Sequence, residues 1–154
     1  MHPMEGEWLE TAPGERFKIR TSSSDTGGAY LIFEVEADPQ VGVPRHTHDN
    51  EAEHFIVVEG TLQIAVGDKT QDFSPGHSVT VGKGAPHAWC NPTGSVVRFI
   101  VIFTPGHIEG MFRAVATKQI DDVEAFARSY GTRIIGPTLH PGLHHYFKPR
   151  SLEP

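Results

Sequence analysis

At 154 residues the chain has the size of one ordinary domain, long enough to bury most of its apolar surface without disulfide support. With 13 Lys and Arg against 19 Asp and Glu, its formal net charge is −6, and no basic cluster offers a footprint for phosphates, so nucleic acid is not an expected partner. The lone Cys90 has no internal partner, which points to a reducing compartment.

The chain opens with Met1 to Trp8, which lacks the basic region and apolar stretch of an export signal. No later run approaches the roughly 18 apolar residues of a membrane span. A cytoplasmic protein without membrane contact is the expectation. From Glu15 to Thr21 the sequence alternates through Arg16-Phe17-Lys18-Ile19-Arg20, a half-buried strand, and a Ser- and Gly-rich loop over 22–28 follows. Ala29 to Glu36 is a more apolar strand. The run from Glu53 to Val58 is another, ending in Glu59-Gly60, and Thr61 to Val66 places Leu62, Ile64 and Val66 on one face before Gly67-Asp68 turns the chain into Thr70 to Phe73. Val96 to Phe103 is a long apolar strand. Many short strands broken by Gly, Pro and Asp turns indicate an all-β barrel or sandwich.

After that strand the period changes. Thr104 is placed to cap a helix with Pro105 at its first position and Ile108, Phe112 and Val115 along one face, with Gly110 as its weak point. A further helix starts at Asp121-Asp122, carries Ile120, Val123, Phe126, Ala127 and Tyr130 as a stripe, and ends at Gly131. Both are expected to pack on the barrel. The division is residues 1–104 as N-terminal strands and barrel, and residues 105–154 as a helical extension and tail of the same domain. Leu139 to Tyr146, with histidines among Pro and Gly and no carboxylate at a useful interval, reads as a surface tail rather than another metal site.

The chemistry lies in His46-Thr47-His48, Glu53 and His87. Residues two apart on a strand share a face, so His46 and His48 point the same way with Arg45 and Thr47 opposite. The short segment 49–52 reads as a tight connection, so that a strand pair returns Glu53 beside the histidines. Glu51 competes with Glu53 as the carboxylate, but Glu53 shares a face with Phe55 and Val57. His87 follows the Gly84-Ala85-Pro86 turn. Neutral imidazole and ionised carboxylate are the ligands that divalent first-row metals accept, so three histidines and one carboxylate point to a metal site. An isolated His-x-His would be read as a pair of exposed strand histidines; the downstream Glu, Gly and His displace that reading. His54 faces opposite to Glu53, His77 is assigned to a turn hydrogen bond, and His107 sits beside the first helix. Trp89 and Asn91 share the face of His87, with Trp89 readable equally as pocket wall or core. Cys90 faces away. Gly60 and Gly84 are turn positions that need backbone freedom.

In these residues the chain resembles the cupin superfamily. The family's first motif is matched by Gly42-Val43-Pro44-Arg45-His46-Thr47-His48, four intervening residues, Glu53, six residues and Gly60, with a shorter gap after the first glycine than the family uses. Its other motif is similar to Gly76 through Asn91, with Gly76, Gly84, His87 and Asn91 on matching positions, Gly82 where proline is usual and His77 where aspartate often stands. The resemblance implies a double-stranded β-helix, the cupin jelly-roll barrel, binding one metal through His46, His48, Glu53 and His87. The identity of that divalent transition metal, whether iron, manganese, nickel, zinc or copper, is left open by the affinity order. The likeness to quercetinase-like members implies a metal-dependent dioxygenase acting on a small phenolic or enolisable substrate, with Glu53 as ligand and general base. The alternatives are non-oxidative isomerisation, decarboxylation or lyase chemistry at the same site, or a small-molecule binding module without turnover. A homodimer paired through sheet edges or terminal strands is expected by the same resemblance.

Overall fold

The computed structural model describes residues 6–140. In chain order its strands are β1 (Leu9–Ala12), β2 (Glu15–Thr21), β3 (Leu31–Ala37), β4 (Pro44–His48), β5 (Ala52–Glu59), β6 (Leu62–Val66), β7 (Lys69–Phe73), β8 (Ser78–Val81), β9 (His87–Cys90) and β10 (Val97–Thr104). Two helices, α1 (Glu109–Thr117) and α2 (Val123–Ser129), precede a last strand, β11 (Thr132–Thr138). All strand pairs are antiparallel, in a six-stranded sheet of order β1-β2-β3-β10-β5-β8 and a five-stranded sheet of order β11-β4-β9-β6-β7. This is the all-β jelly-roll barrel expected, with two short helices.

Alternation builds the core. In β3, Leu31, Phe33, Val35 and Ala37 point inward, and in β10 Val97, Phe99, Val101 and Phe103 do the same, while the residues between them are half-covered. Outward-facing charges on the same sheet pair across strands: Arg16 with Glu36 at 2.9 Å and Arg98 with Glu36 at 2.9 Å. In the five-stranded sheet the central strands β6 and β9 are covered on both faces. Leu62 and Ile64 of β6 join the main core, whereas Ala65, Ala88, Cys90 and Leu139 form a smaller apolar cluster. Leu139 is therefore buried, not part of a surface tail; its N–H donates to the Val43 carbonyl oxygen at 3.0 Å. The rest of that histidine-bearing stretch, from 141 onward, lies outside the described residues.

Two expectations are corrected. The strands carrying His48 and Glu53 are not a hydrogen-bonded pair: β4 lies between β11 and β9, and β5 between β10 and β8, in the opposite sheet. The short connection therefore crosses between layers, because both strands have inward-facing polar residues that meet only across the barrel. The first helix begins at Glu109, not after Thr104, since Thr104 is still paired with Ala52 in the sheet and is not available as a cap. Beyond the two helices, β11 returns to the barrel and pairs with β4. The other helix, α2, follows the sequence, with the Asp122 carboxylate accepting from the Ala125 N–H at 3.0 Å and Gly131 in the left-handed region at φ 82°. Gly60 and Gly84 take positive φ of 82° and 78°, as turn glycines should. No helix of the described residues is long and apolar enough to cross a membrane.

Candidate metal centre

His46, His48, Glu53 and His87 converge. Each offers one ligand atom, and these atoms all lie within 4.8 Å of one another. His46 and His48 come from the inward face of β4, His87 opens β9 directly opposite His46 in the ladder, and Glu53 reaches across from β5. The four side chains are thus set by three strands and both sheets. Glu51, the competing carboxylate, is buried but lies outside the cluster.

The ring nitrogens divide their work. His46 Nδ1–H donates to the Pro44 carbonyl oxygen at 2.7 Å and His87 Nδ1–H to the Ala85 carbonyl oxygen at 2.9 Å. A carbonyl oxygen only accepts, so Nδ1 carries the proton in both rings and Nε2 is left facing inward. His48 Nδ1 meets the Thr132 hydroxyl at 2.9 Å, a partner 84 residues away on β11. Its Nε2 is 3.2 Å from Glu53 Oε1 but off the angle of a hydrogen bond, and is a buried nitrogen without a partner. An orphaned imidazole nitrogen aimed at a carboxylate, with the outer nitrogens held by backbone and hydroxyl oxygens, is the pattern that metal-ligating histidines require. The donor set fits a divalent transition ion.

Electrostatics agree with that fit. Burial alone would raise the Glu53 carboxyl, but the proximity of His48 and His87, with a hydrogen bond from His87, outweighs it and holds the group well below the usual carboxylate range. Burial would lower His87, and the Glu53 carboxylate 2.9 Å from its Nε2 raises it instead. With Nδ1–H committed to Ala85, that contact needs a proton on Nε2 as well, so Glu53 and His87 form an imidazolium–carboxylate pair that a metal would displace. His46 is pushed down to about 3 by burial and by the neighbouring His87 and His48. Two of the three rings thus differ in the proton that they hold, although all belong to one cluster.

His46, His48 and Glu53 also line a cavity of about 280 Å³. Its walls are mostly aromatic and aliphatic, including Phe33, Trp89, Phe99, Phe103 and Phe112, and α1 and α2 close one side with Met111, Val115, Val123 and Ala127. Trp89 is therefore both pocket wall and core. Asn91 is not wall: fully buried, its amide donates to the carbonyl oxygens of Ala37, Asp38 and Ser95 and fixes a turn. His77 Nδ1 accepts from the Ser74 N–H at 3.1 Å, in the turn role expected. His54 bonds Thr80 away from the cluster, and Cys90 packs on the far face, where burial pushes its thiol up to about 12.

Thr132 and Glu15 are cavity residues that the sequence pattern does not single out as functional. Nothing in the local sequence of Thr132 signals its role, because Thr132–Thr138 has no apolar–polar alternation of residue type. Glu15 is legible in principle, since it shares the strand parity of the buried Phe17 and Ile19.

This architecture is shared with known proteins. Residues 33–103 match the Cupin domain family model, so the chain carries a cupin domain. Among solved structures it superposes on KdgF from Halomonas sp. with a TM-score of 0.61 at 18% identity, covering 68% of this chain and 90% of that one. It superposes on recombinant oxalate oxidase in complex with glycolate with a TM-score of 0.57 at 17% identity, covering 70% and 60%. At these identities the likeness is one of fold. Mannose-1-phosphate guanylyltransferase from Escherichia coli (strain K12) is 27% identical over 109 residues, 71% of this chain and 21% of that protein. The chain thus spans about a fifth of the length of that curated relative.

Proposed function

We propose that His46, His48, Glu53 and His87 hold one divalent transition metal and that the protein is a metal-dependent oxidoreductase of dioxygenase type acting on a small phenolic or enolisable molecule. The observation that carries this reading is the position of the cluster: three of its four residues line an apolar cavity of about 280 Å³. A structural ion is closed off by protein on all sides, whereas catalysis needs a coordination position open to a ligand. Supporting it at the level of fold is the likeness to a protein whose structure is described as an oxalate oxidase.

The metal, when bound, supplies a Lewis acid toward a ligand oxygen and, where redox-active, electrons for dioxygen chemistry. The chain's residues do the rest. The Pro44 and Ala85 carbonyls and the Thr132 hydroxyl orient the three rings. Glu53 keeps its charge, which favours the ligand role over that of general base, since a base works best with a pKa near the working pH. The aromatic and aliphatic walls favour an apolar, ring-sized body.

The test is oxygen uptake by metal-loaded protein with a panel of phenols and enolisable ketones. Uptake coupled to product, and abolished in His48→Ala, is the expected result. Turnover that proceeds equally without oxygen would replace the oxidative reading with isomerase or lyase chemistry at the same cluster.

A further inference from the structure

The cavity holds another carboxyl group that the metal reading leaves without a task. Glu15 begins β2 on the strand face of Phe17 and Ile19, opposite Ala12 of β1, and its side chain lines the same cavity as His46, His48 and Glu53. We propose that Glu15 is a polar contact of the ligand remote from the metal, a hydrogen-bond donor through its carboxyl group to an acceptor oxygen on a small aromatic molecule whose other end is held at the cluster. This rests on the reading of the cluster as a metal centre.

Few groups compete for that role. From β1, Thr11 and Ala12 line the same cavity, with Ala12 opposite Glu15 in the ladder. Arg16, which also contributes to the cavity lining, does not neutralise it, because its guanidinium is committed to Glu36 at 2.9 Å and Asp38 at 3.1 Å. From the helices, the cavity receives apolar residues alone: Met111, Phe112, Val115, Val123 and Ala127. From the five-stranded sheet the ionisable residues lining it are His46 and His48, and from β5 it is Glu53. A carboxyl group set in apolar walls with no free cation to pair with favours its neutral form, and burial raises Glu15 to about 7, against a smaller opposing effect of the nearby Thr11 hydroxyl. A neutral carboxyl donates, and an apolar cavity with a donor and a metal centre on its walls selects a molecule with an apolar body and two polar ends.

The distinction between catechol and 3,4-dihydroxybenzaldehyde tests this, because both present vicinal oxygens to a metal and only the aldehyde adds an acceptor on the ring. Cobalt(II)-loaded wild type, Glu15→Leu and Glu15→Gln are titrated with each compound, following heat and the visible cobalt bands. The expected result is a preference for the aldehyde about tenfold greater in wild type than in Glu15→Leu, as one buried hydrogen bond provides. Glu15→Gln, whose amide still donates, retains that preference, and catechol binds all three alike. Equal preference in wild type and Glu15→Leu, or its loss in Glu15→Gln as well, overturns the assignment of Glu15 while leaving the metal centre standing. Failure of wild type to take up cobalt overturns both.

Discussion

Each ring of the cluster is held by an oxygen at Nδ1, and the three oxygens differ in kind. Two are backbone carbonyls that no substitution removes; the third is the Thr132 hydroxyl. Thr132→Val is isosteric and strips the partner of His48 alone, so metal affinity is expected to fall about 10- to 100-fold. Competition with a chromophoric chelator measures it, and unchanged affinity would mean that ring packing against Phe103, with centroids 5.3 Å apart, is enough to orient His48. The pH response also belongs at this scale. Metal binding must displace the proton that Glu53 stabilises on His87, so affinity is expected to decline with acidification from above the ordinary histidine value of 6.5, earlier than free imidazoles would. Dialysis at stepped pH with elemental analysis reads the midpoint; retention of metal well below that value would contradict it. The ligand residues themselves are legible in the sequence because side-chain type and spacing specify them. Their orienting partner is not, since Thr132 approaches His48 only through tertiary pairing.

Among elements, the sequence pattern separates inside from outside correctly and says less about which strands are neighbours. Period-two alternation in 53–57 puts Glu53 with Phe55 and Val57, and all three are buried. Yet alternation is blind to the partner strand, and the tight link 49–52, which reads as a hairpin, carries the chain from one sheet to the other. For β11 the obstacle is different: Thr132–Thr138 alternates between covered and exposed in the fold, but with Ile134 and Ile135 adjacent and Gly136 and Pro137 after them the sequence shows no apolar–polar period. α2 is the reverse case, a seven-residue helix whose cap is readable. Asp122→Ala removes that cap and is expected to cost about 1 kcal/mol. Because Val123 and Ala127 line the cavity, the same change is expected to speed proteolysis within α2 and the segment before it. A thermal melt with limited digestion checks both, and an unaltered melt would show that packing on β11 alone holds the helix.

For the molecule as a whole, the barrel carries ionisable groups inside it, and their protonation couples to folding. His46, displaced to about 3, contributes stability that is present above its ordinary value of 6.5 and is lost as pH falls through the folded one. Glu15 acts in the other direction. Its folded value of about 7 lies above the ordinary 4.5, so the folded state binds the proton more tightly than the unfolded chain. The stability that this provides is complete below pH 4.5 and is lost as pH rises through about 7. At about 1.4 kcal/mol per unit, the difference between the ends of that window is on the order of 2–3 kcal/mol. Glu15→Gln abolishes the titration without emptying the site. Denaturant unfolding of the metal-free protein at several pH values is therefore expected to give curves for wild type and variant that run together near pH 4.5 and separate between there and pH 7, with the variant more stable at the alkaline end. Taking the difference between the two cancels the histidines, which are common to both. Curves that stay parallel across the window would mean that Glu15 remains ionised in the fold, with water reaching it through the cavity mouth.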